Sequence, residues 1–415
     1  MDDGAAANDA VLAYGDITTL DGVDVRPAFA EAPEFLLARA AARAGRYRGP
    51  AGGHEGLITG VAGGFDPVDA SRRALAELVE HASARAAARS TSLPVVAIAD
   101  MERAGRQFIH PGASQRFDAD PAAAELASLE DATTPIRWCP GRRLSNGSLV
   151  YVPAQAAFLG FQTPEEPLFA RPDATGLAAH RTRAQALLHG LLECVERDAC
   201  MLSWRVPGWP VRAIDAAVLS APAARTLRAL GLAARVFDVG APGGVPVVLC
   251  LVAGAGGAGL TCGSSADESL EAAANEAVHE ALALQCAARE SAARRGSPST
   301  RALLASRSGP HVQRWYDAQA ARTDRAPGRP SPRGVVAVAR WAEEWCGGLA
   351  AAADVTDPLA RRCGWHVCRV VVEGMYARGS DGRAPHPRGG PRLRSTLERL
   401  GLTAGDVHAA PHPFG

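Results

Sequence analysis

Lysine is absent. All 44 basic residues of the 415 are arginine, matched by 44 acidic residues. No Schiff-base lysine and no P-loop lysine can therefore serve here. The zero net charge gives no electrostatic case for nucleic acid or for a membrane surface. Nine cysteines are scattered without a C-x-x-C pair, which argues for neither a disulfide framework nor a zinc site. No apolar run is long enough to span a bilayer and no secretory pattern opens the chain, so a cytoplasmic protein without membrane contact is expected. The wealth of alanine and arginine is what codon drift in a G+C-rich genome produces.

One stretch organises what is present. Residues 184–204, AQALLHGLLECVERDACMLSW, form a helix whose circumference is almost wholly apolar. Glu193, Glu196 and Arg197 share its one polar stripe with His189 and Gly190. Two buried carboxylates one turn apart repel, and a divalent metal is the simplest compensation. An arginine on the same face suggests phosphate beside the metal. A second helix starts at Asp66-Pro67, a cap followed by proline at the first helical position, and carries Glu77, Glu80 and His81 at the same spacing. Arg73 stands in it where His189 stands in the first. A third helix over residues 267–286 sets Glu276, His279 and Glu280 on the positions of Glu193, Glu196 and Arg197. Three such stripes make an internal repeat of sites.

Further elements are predicted by composition and turn chemistry. Residues 33–45 read as a helix, residues 93–98 as a buried strand, and residues 135–153 as a hairpin turning at Asn146-Gly147. Residues 233–238 and 246–253 read as two more strands. Residues 294–333, rich in Pro, Ser, Gly and Arg, read as a mobile excursion around a short helix near 312–321. Cys194 and Cys200 lie among apolar neighbours and are expected to pack.

TGLAAHRTRAQALLHGLLECVERDACMLSW, with its glycine turn before a helix ending E-x-x-E-R-D, resembles the signature of YcaO-domain proteins. ALAELVEH, TPIRWCPGRRLSNGSLVYVPA, CGSSADESLEAAANEAVHEALA and the terminal PHPFG resemble four further motifs of that family, in the family's order. The resemblance implies an α/β fold: a composite domain of mixed β-sheets flanked by helices, with ATP between the three motif-bearing helices. On it, residues 1–50 are an N-terminal segment and residues 51–415 the catalytic domain, with the excursion at 294–333 and a proline-containing tail at 405–415.

The same resemblance implies an ATP- and Mg2+-dependent cyclodehydratase that closes Cys, Ser or Thr of a ribosomally made precursor peptide onto a backbone amide. Carried over by position, Glu77, Glu80, Glu193, Glu196 and Glu276 are metal ligands. Arg73, Thr175, Gly176, Arg197 and His279 bind the nucleotide, and Arg197 and the terminal carboxylate of Gly415 are catalytic. A leader-peptide-binding partner protein and a homodimer are expected. The departures are Arg73 for the first motif's serine, His81 for its arginine and His279 for a glutamine. Thioamide or amidine formation by the same chemistry, a nucleotide-poor scaffold protein, and a di-iron carboxylate site are the alternatives; glycine-rich segments between strands speak against the last.

Overall fold

Alanine and leucine favour helix on propensity alone, yet LLARAAAR is a strand. The computed structural model describes residues 20–43, 57–90, 92–111, 132–169, 174–295, 300–322, 331–376, 391–408, 410 and 412–413. In it Ala38, Ala40 and Ala42 are buried while Arg39 between them faces out, a period of two. Pairing on both sides overrides the local preference that suggested a helix over 33–45. The strand β2 (Leu36–Arg43) is the centre of an antiparallel sheet with β1 (Leu20–Pro27) and β3 (Leu57–Gly64). Residues from the N-terminal 50 thus complete the sheet that carries β3.

From β3 the chain enters α1 (Pro67–Ser90), then β4 (Val95–Ala97) and the short α2 (Ile98–Arg103). The hairpin predicted for residues 135–153 is present as β5 (Pro135–Arg143) and β6 (Leu149–Pro153), with Gly147 at φ +77° in its turn. After α3 (Ala154–Ala157) come β7 (Leu177–His180) and the long α4 (Arg183–Arg205). A second antiparallel sheet follows, ordered β11-β10-β9-β8, from β8 (Arg212–Ile214), α5 (Ala221–Ala229), β9 (Ala233–Asp238), β10 (Val247–Ala253) and β11 (Thr261–Ala266). Then α6 (Leu270–Arg295), α7 (Thr300–Ala321) and α8 (Gly334–Cys346) lead to β12 (Ala350–Asp354), α9 (Pro358–Arg362), β13 (His366–Val372) and α10 (Pro391–Arg399). The third sheet runs β4-β5-β12-β13-β7, with β6 on β5.

The expected excursion at 294–333 is corrected in its described part. Instead of a short helix in a mobile loop, α7 spans 22 residues, and Val312, Tyr316 and Gln319 are buried against α4 and the second sheet. The tail, as far as it is described, is docked. Trp204 Nε1 donates to Ala410 O at 3.0 Å, and Arg205 Nη1 donates to His408 O and Ala410 O at 2.9 and 2.8 Å. Gly415 lies outside the described residues. No helix among the described residues is long and apolar enough to cross a membrane.

What positions the site is a repeated strand–helix contact. A Cβ at Gly60 of β3 would stand 2.0 Å from Ala74 O of α1, and one at Gly263 of β11 2.0 Å from Ala277 O of α6. At α4 the glycine is on the helix: a Cβ at Gly190 would stand 2.7 Å from Gly176 O, just before β7. Backbone meets backbone at all three places, and only glycine allows it. Gly263→Ala is therefore expected to lower unfolding stability by about 1–3 kcal/mol through overpacking against rigid backbone. Urea unfolding measures it, and an unchanged midpoint would show that β11 and α6 are not held this closely.

Candidate functional site

Three caps set the register of the site. Asp66 Oδ1 accepts from Val68 N and Asp69 N, Thr182 Oγ1 from Gln185 N, and Ser269 Oγ from Ala272 N, satisfying amides that open α1, α4 and α6. Eleven residues beyond each cap comes a glutamate: Glu77, Glu193 and Glu280. Each accepts a backbone N–H at the edge of one of the three sheets. Val61 N donates to Glu77 Oε2 at 2.7 Å, Gly176 N to Glu193 Oε2 at 2.9 Å, and Ser264 N to Glu280 Oε2 at 2.6 Å. β3 and β11 are edge strands, and Gly176 immediately precedes β7, the edge of its own sheet.

The third helix is thus one turn out of the register expected from its stripe. Glu280, not Glu276, is the counterpart of Glu77 and Glu193. Glu276 is seven residues past its cap, the counterpart of Arg73 and His189. Glu280 is the site residue that the stripe left without a role, and the cap at Ser269 was the signal that places it.

A second pair of carboxylates ties the helices to neighbouring strands. Glu80 of α1 accepts from Ala179 N of β7 at 2.8 Å, and Glu196 of α4 accepts from Ser264 Oγ of β11 at 2.8 Å. Arg197 completes the group, its Nη1 3.0 Å from Glu196 Oε1 and its Nη2 3.4 Å from Glu193 Oε1. Glu77, Glu80, Glu193, Glu196, Glu280 and Arg197 are therefore brought together. Arg73, Glu276 and His279 form a neighbouring group: Arg73 is ion-paired with Glu276, and His279 Nδ1 lies 3.6 Å from Glu276 Oε1, its ring against Phe35 and Phe65. Thr175 and Gly176 stand at the turn before β7, with Gly176 at φ +80°. Cys194 and Cys200 are buried, as expected, and burial pushes the Cys200 thiol up to about 12.

The electrostatics are those of a site short of positive charge. Burial raises Glu77, against the Val61 N–H, with Glu193 and Glu280 adding to it. Burial holds Glu80 well above the usual range, with Glu193 and Glu77 adding to it. Burial pushes Glu196 up to about 7; Arg197 opposes the rise, while Glu280 and Glu193 add to it. Arg197 loses hydration on burial, and Glu196, Glu193 and Glu280 more than restore its charge. His81 is kept neutral by burial and by Arg85, so it does not replace an arginine.

Among the described residues no three His, Cys, Asp or Glu side chains make a ready cage for a metal ion. The donor set nevertheless fits magnesium: hard carboxylate oxygens, each glutamate carrying one oxygen beyond its strand bond. Mg2+ is usually held by one or two carboxylates plus substrate phosphates, not by an all-protein cage. Among the described residues Nε2 of His279 is buried without a hydrogen-bond partner, while Nδ1 of the same ring faces Glu276 and Arg197 Nη1 is held by Glu196 alone, which leaves donor capacity for a polar ligand.

The family model described as YcaO cyclodehydratase, ATP- and Mg2+-binding, matches residues 62–376, and the chain belongs to the YcaO family. ATP and Mg2+ are the cofactors of that family. An uncharacterized protein in the tfuA 3' region of Rhizobium leguminosarum bv. trifolii is 35% identical over 121 residues, 29% of this chain and 28% of that protein. An uncharacterized protein of Methanothermobacter thermautotrophicus is 36% identical over 85 residues, 20% and 22% of the two chains. These matches span less than a third of either relative. A solved heterocyclase in complex with substrate and cofactor shares the fold at TM-score 0.76 and 22% identity, over 98% of this chain and 57% of that one. YcaO from Methanopyrus kandleri, bound with AMPPCP and Mg2+, matches at TM-score 0.57 and 19% identity over 88% of each chain. The E. coli microcin synthetase McbBCD complex with pro-MccB17 bound matches at 0.63 and 13%, over 96% of this chain and 100% of the matched one.

Glu196 supplies a pH test. Its carboxyl is raised from 4.5 to about 7, so the folded state holds its proton more tightly than the unfolded chain does. The stability it contributes is complete below 4.5 and is lost as pH rises through about 7. Glu196→Gln keeps the neutral form at every pH. The melting temperature of the nucleotide-free variant is expected to gain on wild type steadily between about pH 5 and pH 8. A gap constant across that range would show that Glu196 titrates normally.

Proposed function

We propose that this protein uses ATP and Mg2+ to activate a backbone amide of a ribosomally made precursor peptide, closing a Cys, Ser or Thr side chain onto it as an azoline. The observation that carries the reading is the half-buried shell of Glu77, Glu80, Glu193 and Glu280, with Glu196 buried among them, around Arg197: a set of carboxylates in need of cations. Membership in an ATP- and Mg2+-binding cyclodehydratase family supports it.

In this reading Glu77, Glu80, Glu193 and Glu196 hold the metal, and Glu280 joins them. When bound, ATP supplies the phosphoryl group that makes an amide oxygen a leaving group, and Mg2+ steadies the charge on it. The chain contributes placement. Strand N–H groups hold Glu77, Glu80, Glu193 and Glu280 by one oxygen each, and the Ser264 hydroxyl holds Glu196, so the carboxylates are fixed before any ligand arrives. Arg197 offers its fork to the phosphates from a position already fixed by Glu193 and Glu196. Thr175, Gly176 and His279 line the nucleotide. Burial of Cys200, Leu192 and Val195 on the rest of α4 keeps water from that face. A precursor peptide is the substrate, delivered by a leader-binding partner protein to a homodimer. The McbBCD complex with pro-MccB17 bound supports the peptide and the partner.

Calorimetric titration with MgATP tests the reading. Wild type is expected to bind and to gain about 2.7 kcal/mol of stability at a hundredfold excess over Kd. Glu193→Gln removes one charge from the shell but can still accept from Gly176 N, so the nucleotide-free fold is expected to stay at least as stable. Its MgATP affinity is expected to fall at least about tenfold. No heat and no thermal shift with wild type would overturn the reading.

A further inference from the structure

The residues seven past each cap, Arg73, His189 and Glu276, form a tier one helical turn nearer the caps than the glutamate shell. Two of them meet across the site. Arg73 of α1 is ion-paired through Nη1 with Glu276 Oε2 of α6. Its Nη2 donates to Gly63 O at 2.7 Å, and its Nε lies 3.0 Å from Asp69 Oδ2. The guanidinium is thereby held from three sides. The strand beneath is shaped for it: a Cβ at Gly64 would stand 2.8 Å from Arg73 Nη2. Any side chain there would displace the guanidinium from Gly63 O. Glu276 is engaged on both oxygens, Oε2 by Arg73 and Oε1 facing His279 Nδ1 at 3.6 Å.

We propose that Arg73 is a fixed internal cation that occupies Glu276, so that Glu276 is not a metal ligand and the chain loads one divalent ion fewer than its carboxylates would otherwise hold. This rests on the reading that nucleotide and metal bind among the glutamates. A guanidinium is always charged, and its separate N–H groups let Arg73 hold Glu276, Gly63 O and Asp69 at once. Mg2+ demands near-ideal octahedral geometry and dehydrates reluctantly, so it does not share a carboxylate with one oxygen paired to a guanidinium and the other facing His279. The pair also fastens α1 to α6 without waiting for ligand, which leaves phosphate contact to Arg197. Arg73 is accordingly a positioning residue, acting through Glu276.

The test counts Mn2+ per chain by electron paramagnetic resonance at saturating non-hydrolysable ATP analogue. Arg73→Ala is expected to bind one Mn2+ more than wild type, Arg73→Lys the wild-type number, and the double variant Arg73→Ala with Glu276→Ala the wild-type number again. Arg73→Gln, which keeps a polar side chain on α1 without the charge, reads the same way as Arg73→Ala should the alanine variant fail to fold. Equal counts in wild type and in the folded neutral variant overturn the proposal. So does a loss of analogue affinity of about tenfold or more in that variant with no added ion, the cost expected if the arginine holds phosphate by charge-assisted hydrogen bonds. Wild type binding neither analogue nor Mn2+ overturns the nucleotide reading instead, before any variant is compared.

Discussion

The site depends on one interaction made three times: a glutamate carboxylate accepting the backbone N–H at the edge of a sheet. An edge strand carries unpaired donors that must be satisfied, and a buried carboxylate carries charge that needs donors. Val61 with Glu77, Gly176 with Glu193 and Ser264 with Glu280 answer both needs at once. The contact requires helix and strand to lie backbone to backbone, which is why Gly60, Gly190 and Gly263 stand beside the glutamates. Glu80 extends the same device to the next strand through Ala179 N, and Glu196 reaches β11 through the Ser264 hydroxyl, so three sheets and three helices share one polar centre.

That centre is assembled at an electrostatic cost. Glu77, Glu80 and Glu196 all titrate above their ordinary values, because burial removes water faster than strand amides and Arg197 replace it. Glu276 goes the other way: burial raises it, but the His279 contact and the Arg73 charge together bring it below the ordinary range. A site with several under-compensated carboxylates beside one fully compensated carboxylate is already divided between places for added cations and a place that has its own. Preorganised charge of this kind is what phosphoryl transfer uses, since there is little covalent work for side chains to do.

Much of this was legible in the sequence because the central helix has only one polar face. Glu193, Glu196 and Arg197 could be placed in the interior from the apolar residues around them, and the stripe on α1 repeated them at the same spacing. The third helix misled because alanines cover it on all sides, so E-x-x-H at 276–279 matched the template as well as any frame. The caps carry the missing information: Asp66, Thr182 and Ser269 lie a constant distance ahead of the strand-bound glutamates, and counting from them selects Glu280. β2 was hidden by its alanines, whose helical preference is overruled by two flanking strands. The helix at 300–321 was hidden by its one proline, Pro310, and its arginines, since nothing local announces that Tyr316 is buried against Ser203. Long-range partners, the strand edges above all, are not written in local spacing.

The most direct measurement is anomalous diffraction from crystals grown with Mn2+ and a non-hydrolysable ATP analogue. The account predicts manganese peaks among Glu77, Glu80, Glu193 and Glu196, with Val61 N, Ala179 N and Gly176 N still donating to Glu77, Glu80 and Glu193. Manganese bound away from the three helices, or glutamates that leave the strand edges to reach it, would contradict the claim that the sheets hold the carboxylates in place for the metal.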